Sequence, residues 1–407
     1  MGAELRIDLP SSHNVITFGP HDPHKELRGI AHLSLPSARS IKSIDVEFKC
    51  VEEVHLSSGK EKHELLSERF NLYGQKVLEK GTHEFDFFFN VPNCFVYERH
   101  SHGTCHQFLY ATVQFDEWIA FPLTHKLDLL FAAHPHGWGY IPFGESVQNH
   151  IDGLGPIEVA FNTRHLTVSC VIETTLHLPN AEKDLQIHGL RLSVEQSTIL
   201  CSRSNPNLVE KLPPLTLPML NIGSNKLTTN ILPERLSTAY PIKGRYLARF
   251  PDDQLLRGSS FEFVDSAIKH QHKLLLEIWH STYTKKQVFK ARIAMPVRIP
   301  HCLLSFDSVL LPKYEDHVKT KQLRQNDKRD YAGIGKEKQE SCNCTKTYEE
   351  AKAVAMSMYD IVSPIDRNTG VSNKEGFWIS PEDRELTKKG DPPKYLYVPE
   401  EEHESMF

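Results

Sequence analysis

The chain has 407 residues, of which 39% are hydrophobic and 24% charged, a balance that is typical of folded proteins. The length favours two or three domains of ordinary size. A net charge of −5 argues against a general nucleic-acid binder, and no apolar run approaches the roughly 18 residues of a membrane-spanning helix. The start, MGAELRIDLP, has no apolar signal core. We therefore expect a cytoplasmic protein whose eight cysteines are free thiols.

Alternating apolar and polar residues predict strands along most of the chain up to about residue 300. Ile44–Phe48 and Phe85–Val91 both show this pattern, which places one side of a strand on a core and the other in water. Burial on one side favours antiparallel sheets. Short strands separated by turn signals such as Glu79-Lys80-Gly81 predict an all-β protein made of immunoglobulin-type β-sandwiches.

A segment rich in glycine and proline, His134–Pro156, interrupts the strand pattern. We therefore predict a β-sandwich over about 1–145, a linker over 146–157 and a second sandwich over 158–316. Residues 317–407 are predicted to form a polar, largely disordered tail, because they are charged and contain scattered prolines.

One helix is predicted within this tail. Thr347 precedes Glu350 by three residues, which is the spacing of a capping box. Apolar residues follow at helical spacing from Ala351 to Ile361, and Ser363-Pro364 would end the helix. The pattern predicts a helix over about 348–362.

An ordered set of segments resembles the arrestin-like family, and in particular the α-arrestins of fungi (arrestin-related trafficking adaptors). The segments in the first half are LRGIAHLSLPSARSIKSIDVEFKC and EKGTHEFDFFFNVP. Those in the second half are IKHQHKLLLEIWHS, VFKARIAMPVRI and LLPKYED. The resemblance covers about residues 5–316 and implies two arrestin-like lobes in this order. It also implies an adaptor in protein transport and endocytosis, which would bind the cytosolic parts of membrane transporters or receptors.

The tail carries a PPxY motif, made by Pro392, Pro393 and Tyr395. Paired prolines favour the polyproline II conformation, which enters the groove of a WW domain already extended. The tyrosine would fill a second, apolar pocket. We therefore expect these residues to bind the WW domains of a HECT-type ubiquitin ligase.

A degenerate copy of this motif, formed by Leu311, Pro312 and Tyr314, lies where the second sandwich is predicted to end. It is a possible secondary WW-binding site, but a strand exit that packs its tyrosine is the favoured interpretation. If both motifs bind, two linked sites would increase the overall affinity.

Two short clusters have residue types that bind metals. His100–His106 contains three histidines and a cysteine, and Cys342-Asn343-Cys344 contains two thiols. Neither has the spacing of a standard zinc motif, and neither has a second pair of ligands nearby in the sequence. We therefore expect no metal and no cofactor.

The sequence contains no G-x-S-x-G, H-E-x-x-H or P-loop motif, and we expect a protein that is not an enzyme. The expected function is an adaptor that links membrane cargo to a HECT-type ubiquitin ligase and so promotes ubiquitination and endocytosis. It would be recruited from the cytoplasm to the plasma membrane or endosomes.

Two alternatives stay open. One is a signalling scaffold of the ambient-pH-sensing type, with which the 23 histidines are compatible. The other is a ligase-independent endosomal sorting subunit of the retromer type, in which the PPxY motif would be incidental.

Overall fold

The computed structural model describes residues 2–9, 14–21, 23–117, 121–181, 185–223, 242–282, 285–305 and 342–356. These residues are mostly β-strands, with one 3₁₀ turn and one short helix among them, so the predicted all-β fold class is confirmed. Both WW-binding motifs, at 392–395 and 311–314, lie outside the described residues. In the part of the chain that is described, no helix is long and apolar enough to cross a membrane.

Ten strands lie before residue 140: β1 (Glu4–Asp8), β2 (Val15–Phe18), β3 (His24–Leu35), β4 (Arg39–Leu56), β5 (Gly59–Tyr73), β6 (Lys76–Leu78), β7 (Gly81–Pro92), β8 (Glu98–His100), β9 (Gly103–Phe115) and β10 (Leu123–Ala133). Nine follow: β11 (Phe143–Ile151), β12 (Gly155–Thr163), β13 (Val171–Leu178), β14 (Leu185–Cys201), β15 (Val209–Lys211), β16 (Leu215–Gly223), β17 (Ile242–Arg249), β18 (Ile268–Thr282) and β19 (Lys285–Val297).

The first ten strands form two sheets. One has three strands in the order β1-β3-β7. The other has the order β2-β10-β9-β4-β5, with β6 paired to β4 and β8 paired to β9. All these pairs are antiparallel except β2 with β10, which run parallel over Val15–Phe18 and Leu130–Ala133.

Alternate residues of these strands fill one apolar core between the two sheets. Along β4 every second residue from Ile44 to Leu56 is buried, as the period-two pattern predicts. Phe48 of this strand contacts Phe89 of β7 in the other sheet, with ring centroids 6.2 Å apart. The two sheets therefore pack face to face as a sandwich.

The later strands form a four-stranded sheet, β11-β12-β13-β17, and a five-stranded sheet, β15-β14-β18-β19, in which β16 also pairs with β14. The centres of these sheets are buried on both faces. Val171, Ile172, Glu173 and Thr174 are consecutive buried residues of β13.

The chain divides into two units that are not contiguous in sequence. The first contains 1–139, 198–212 and 260–269, and the second contains 140–197, 213–259 and 270–407. The division therefore differs from two sandwiches over 1–145 and 158–316. The reason is packing, because Leu200, Ala267 and Ile268 share an apolar cluster with Val54 and Leu56 of β4.

The segment 342–356 belongs to the second unit. It contains a 3₁₀ turn, Asn343–Thr345, and a helix, α1 (Tyr348–Met356). Thr347 and Glu350 form a capping box, in which the Thr347 N–H donates to the Glu350 carboxylate at 2.7 Å and the Glu350 N–H donates to the Thr347 hydroxyl at 3.3 Å. The helix predicted over about 348–362 corresponds to α1, and residues after Met356 lie outside the described ranges.

Candidate functional site

A cluster of three thiols and one carboxylate lies in the second unit. Asp253, Cys302, Cys342 and Cys344 each offer one ligand atom, and these atoms all lie within 4.8 Å of one another. Cys302 is fully buried, and the other two cysteines are partly buried. All are free thiols in the structure.

Three separate turns bring these side chains together. Asp253 lies in the turn after β17, where the Asp252 carbonyl accepts hydrogen bonds from Leu255 and Leu256. Cys302 lies after β19, in a turn closed by the Leu304 N–H and the His301 carbonyl at 3.1 Å. Cys342 and Cys344 flank the single residue Asn343, so the 3₁₀ turn presents both sulfur atoms to the cluster.

Backbone N–H groups point at two of the sulfur atoms. The Asp253 N–H donates to Cys344 Sγ, and the Cys344 N–H donates to Cys342 Sγ, both at 3.4 Å. Hydrogen bonds of this kind favour the thiolate over the thiol. Each of these N–H groups therefore favours the thiolate form of the sulfur atom that it faces.

Without a bound cation, the ligand groups of the cluster differ in pKa. The neighbouring thiols of Cys302 and Cys344 lower the pKa of Cys342 to about 4 by hydrogen bonding to its thiolate. The pKa of Cys302 is raised well above its ordinary value by its contacts with Cys342 and Cys344 and by burial. Burial, followed by the nearby charge of Cys344, raises the pKa of Asp253. Ligand atoms at this separation cannot all ionise without a positive charge between them.

The segment that supplies Cys342 and Cys344 is held by a buried arginine. Arg249, at the end of β17, is 5% exposed and donates to the carbonyls of Asn343 at 3.0 Å and Lys346 at 2.8 Å. It also donates to the carbonyl and the hydroxyl of Ser169 at 3.0 Å. The Asn343 side chain donates to the Thr167 hydroxyl at 2.6 Å. Hydrogen bonds to the carbonyls and to the side chain of this segment thus hold the two cysteines in position.

The first unit contains a separate charged cluster. Glu52 of β4 is 1% exposed and accepts from Arg203 Nε at 2.7 Å and from the Ala267 N–H at 2.8 Å. Arg203 also pairs with Asp265 at 2.6 Å. Nearby, Glu61 accepts from the Ser202 hydroxyl at 2.6 Å, and this bond, together with hydrogen bonds from the Ser204 and Arg203 N–H groups and from His63, lowers the pKa of Glu61 to about 2. These contacts connect β4 and β5 to the two later segments of the unit.

The histidines of His100–His106 are placed differently from a metal site. The rings of His100 and His102 stack with centroids 5.5 Å apart, and His106 packs edge-on against Tyr97 at 5.6 Å. Within the described ranges, this stretch is not among the groups whose ligand atoms converge. His100 ends β8 and His106 lies in β9, so only His102 lies in the turn between these two strands.

The sequence signalled only half of the thiol cluster. Cys342-x-Cys344 was visible, but the missing second pair of ligands comes from turns after β17 and β19, far away in the chain. The carboxylate ligand is one of two successive aspartates, and no local pattern distinguishes it. A comparison with known protein families and with curated proteins found no match to this chain.

Proposed function

We propose that this protein is an arrestin-like adaptor that links membrane cargo to a HECT-type ubiquitin ligase. Its two units would bind the cytosolic parts of transporters or receptors, and its tail would bind the WW domains of the ligase. The observation that carries the proposal is the motif Pro392-Pro393-Lys394-Tyr395. Two β-rich units in a chain that also carries such a motif are compatible with a binding protein.

The adaptor would form and break no covalent bonds. It would raise the local concentration of the ligase at the cargo, which increases the rate of ubiquitin transfer without any new catalytic group. Recruitment to the plasma membrane or endosomes would follow from cargo binding, and the protein itself would otherwise stay in the cytoplasm.

Calorimetric titration of the full chain with WW domains of a HECT ligase tests this proposal. We expect Tyr395→Ala to weaken binding at least about tenfold, because truncation of a tyrosine that anchors an interface costs on the order of 1.4 kcal/mol or more. Tyr397→Ala is a matched control, since it removes a tyrosine two residues away and leaves the motif intact.

The other outcomes are equally informative. If the wild type and Tyr395→Ala bind equally well, the WW-binding site lies elsewhere in the chain. Weaker binding by Tyr314→Ala would then assign the site to Leu311–Tyr314. If the wild type binds no WW domain, the ligase-adaptor proposal is wrong.

A further inference from the structure

We propose that Asp253, Cys302, Cys342 and Cys344 bind one zinc ion, which fastens the segment 342–356 to the rest of the second unit. The cluster lies in the described part of the chain and is independent of the tail motif. The inference therefore does not depend on the adaptor proposal.

The separation of the ligand atoms fits a single tetrahedral ion. At a Zn–S distance of roughly 2.3 Å, tetrahedral ligand atoms lie about 3.8 Å apart. The four atoms here lie within 4.8 Å of one another, so side-chain adjustments of less than about 1 Å would complete the site. The turns that carry them need not move apart or rearrange.

The chemistry of the ligands selects zinc. Three thiolates disfavour magnesium and calcium, which prefer oxygen ligands. An iron–sulfur cluster is ordinarily held by four thiolates, whereas this site offers three and a carboxylate. Four protein ligands leave no open position for a substrate, which is the arrangement of a structural zinc site.

The surroundings meet the second requirement of a metal site, which is an outer shell that holds the ligands in place. Two N–H groups donate to sulfur, one to Cys344 and one to Cys342. The Asn343 N–H donates to the carbonyl of Cys302 at 3.4 Å, and Arg249 holds the Asn343 carbonyl. These bonds tie two of the ligand turns directly to each other.

The zinc ion would cross-link Cys302 to Cys342 and so close the loop of chain between them. Loss of that closure would free the segment that carries α1, whose buried residues Tyr348, Ala351 and Ala355 pack on Val171 and Leu247. Because the ion binds only the folded arrangement, it stabilises that arrangement by its binding free energy.

The rival interpretation is a disulfide between two of the three cysteines. It would leave the third thiol and Asp253 without a role, and cytosolic disulfides are rare. Counting free thiols in denatured protein separates the two interpretations. A zinc site leaves all eight cysteines reactive after a chelator is added, whereas a disulfide leaves six.

The test measures metal content in the full chain, purified without chelators from cells supplied with zinc. We expect one zinc per chain in the wild type and in Cys201→Ser, a matched control that removes a partly buried thiol outside the cluster. Cys342→Ser and Cys344→Ser should each lose most of the metal. Substitution by Co²⁺ should give the intense visible bands of a tetrahedral thiolate site.

The proposal that zinc holds 342–356 in place can be tested on the wild-type chain without any substitution. Removal of zinc from the wild type by a chelator should increase amide hydrogen exchange in 342–356 at least tenfold, and added Zn²⁺ should restore the protection. Exchange in β4 should stay unchanged, because the first unit holds none of the ligands. If amide exchange in 342–356 has the same rate with and without zinc, the ion does not hold this segment in place.

Either of two results would show that these residues do not form a zinc site. One is reduced protein that contains no zinc and takes up none when Zn²⁺ is added. The other is freshly purified protein with only six reactive thiols. The Cys201→Ser control guards against a general loss of folding, since its zinc content should equal that of the wild type.

Discussion

The carboxylate of Glu52 shows how a single residue can depend on distant parts of the chain. A glutamate that is 1% exposed has lost its water, and burial of a charge is costly unless the charge is paired and hydrogen-bonded. Arg203 and the Ala267 N–H supply those partners. The strand pattern of β4 places Glu52 on the inner face, where alternation predicts an apolar residue.

Removal of the partner should therefore be destabilising. We expect Arg203→Met to lower the free energy of unfolding by about 3 kcal/mol, because it leaves a buried carboxylate without its cation. The double variant Arg203→Met/Glu52→Gln should recover most of this loss, since it removes the charge as well. Urea unfolding measures both values. Arg28→Met, which changes an arginine that is 70% exposed, is the control and should have little effect.

Equal losses in the single and the double variant would contradict this account. They would mean that the arginine stabilises the unit by its packing and not by its charge.

At the scale of the element, α1 is too short to be stable alone. It has nine residues, and isolated helices shorter than about 12–15 residues are marginal in water. Its stability must come from the capping box and from Tyr348, Ala351 and Ala355, which are buried on one side. Glu349, Glu350 and Ala353 are exposed, and Lys352 and Val354 are half-buried.

Loss of the largest buried side chain should detach the helix. We expect Tyr348→Ala to cost about 3 kcal/mol locally and to speed amide exchange in Tyr348–Met356 about a hundredfold, because large-to-small substitutions of buried aromatic residues cost this much. Hydrogen exchange with mass spectrometry measures the effect. Glu349→Ala changes the exposed neighbour and should leave exchange near the wild-type rate.

If Tyr348→Ala exchanges as slowly as Glu349→Ala, the contacts at Val171 and Leu247 do not hold the helix, and the Arg249 hydrogen bonds and the thiol cluster must be sufficient.

At the scale of the whole molecule, the first unit is completed by residues from the middle of the chain. Residues 1–139 provide both sheets of its sandwich, but 198–212 and 260–269 provide Arg203, Asp265 and the apolar residues that cover Val54 and Leu56. Cleavage of the chain at one position therefore cannot release the complete first unit.

The fragment 1–139 should therefore fold poorly. It would expose Val54 and Leu56 and remove Arg203 and the Ala267 N–H from Glu52. These losses amount to a large part of the roughly 5–15 kcal/mol by which domains are usually stable. Circular dichroism and urea unfolding of the fragment, compared with the full chain, measure this. A fragment with a cooperative transition at the same urea concentration as the full chain would show that the later segments add nothing.

The sequence predicted those features that depend on neighbouring residues. The strand alternation of Ile44–Phe48 and the capping-box spacing of Thr347 and Glu350 are local, and the corresponding strand and hydrogen bonds are present. The pairing of Glu52 with Arg203 and the convergence of Asp253 with three thiols are not local. They depend on which turns meet in space, and a single sequence carries no period or spacing that records this.

The discontinuous first unit also has a consequence for the way in which the protein is made. A ribosome adds about 5–20 residues per second, so on the order of ten seconds pass between the emergence of residue 139 and that of residue 269. During this interval the strands of both sheets have been made, but Arg203 and the apolar residues that cover β4 have not. The nascent chain then exposes apolar residues beside an uncompensated carboxylate, so we expect it to need chaperones until residue 269 has emerged.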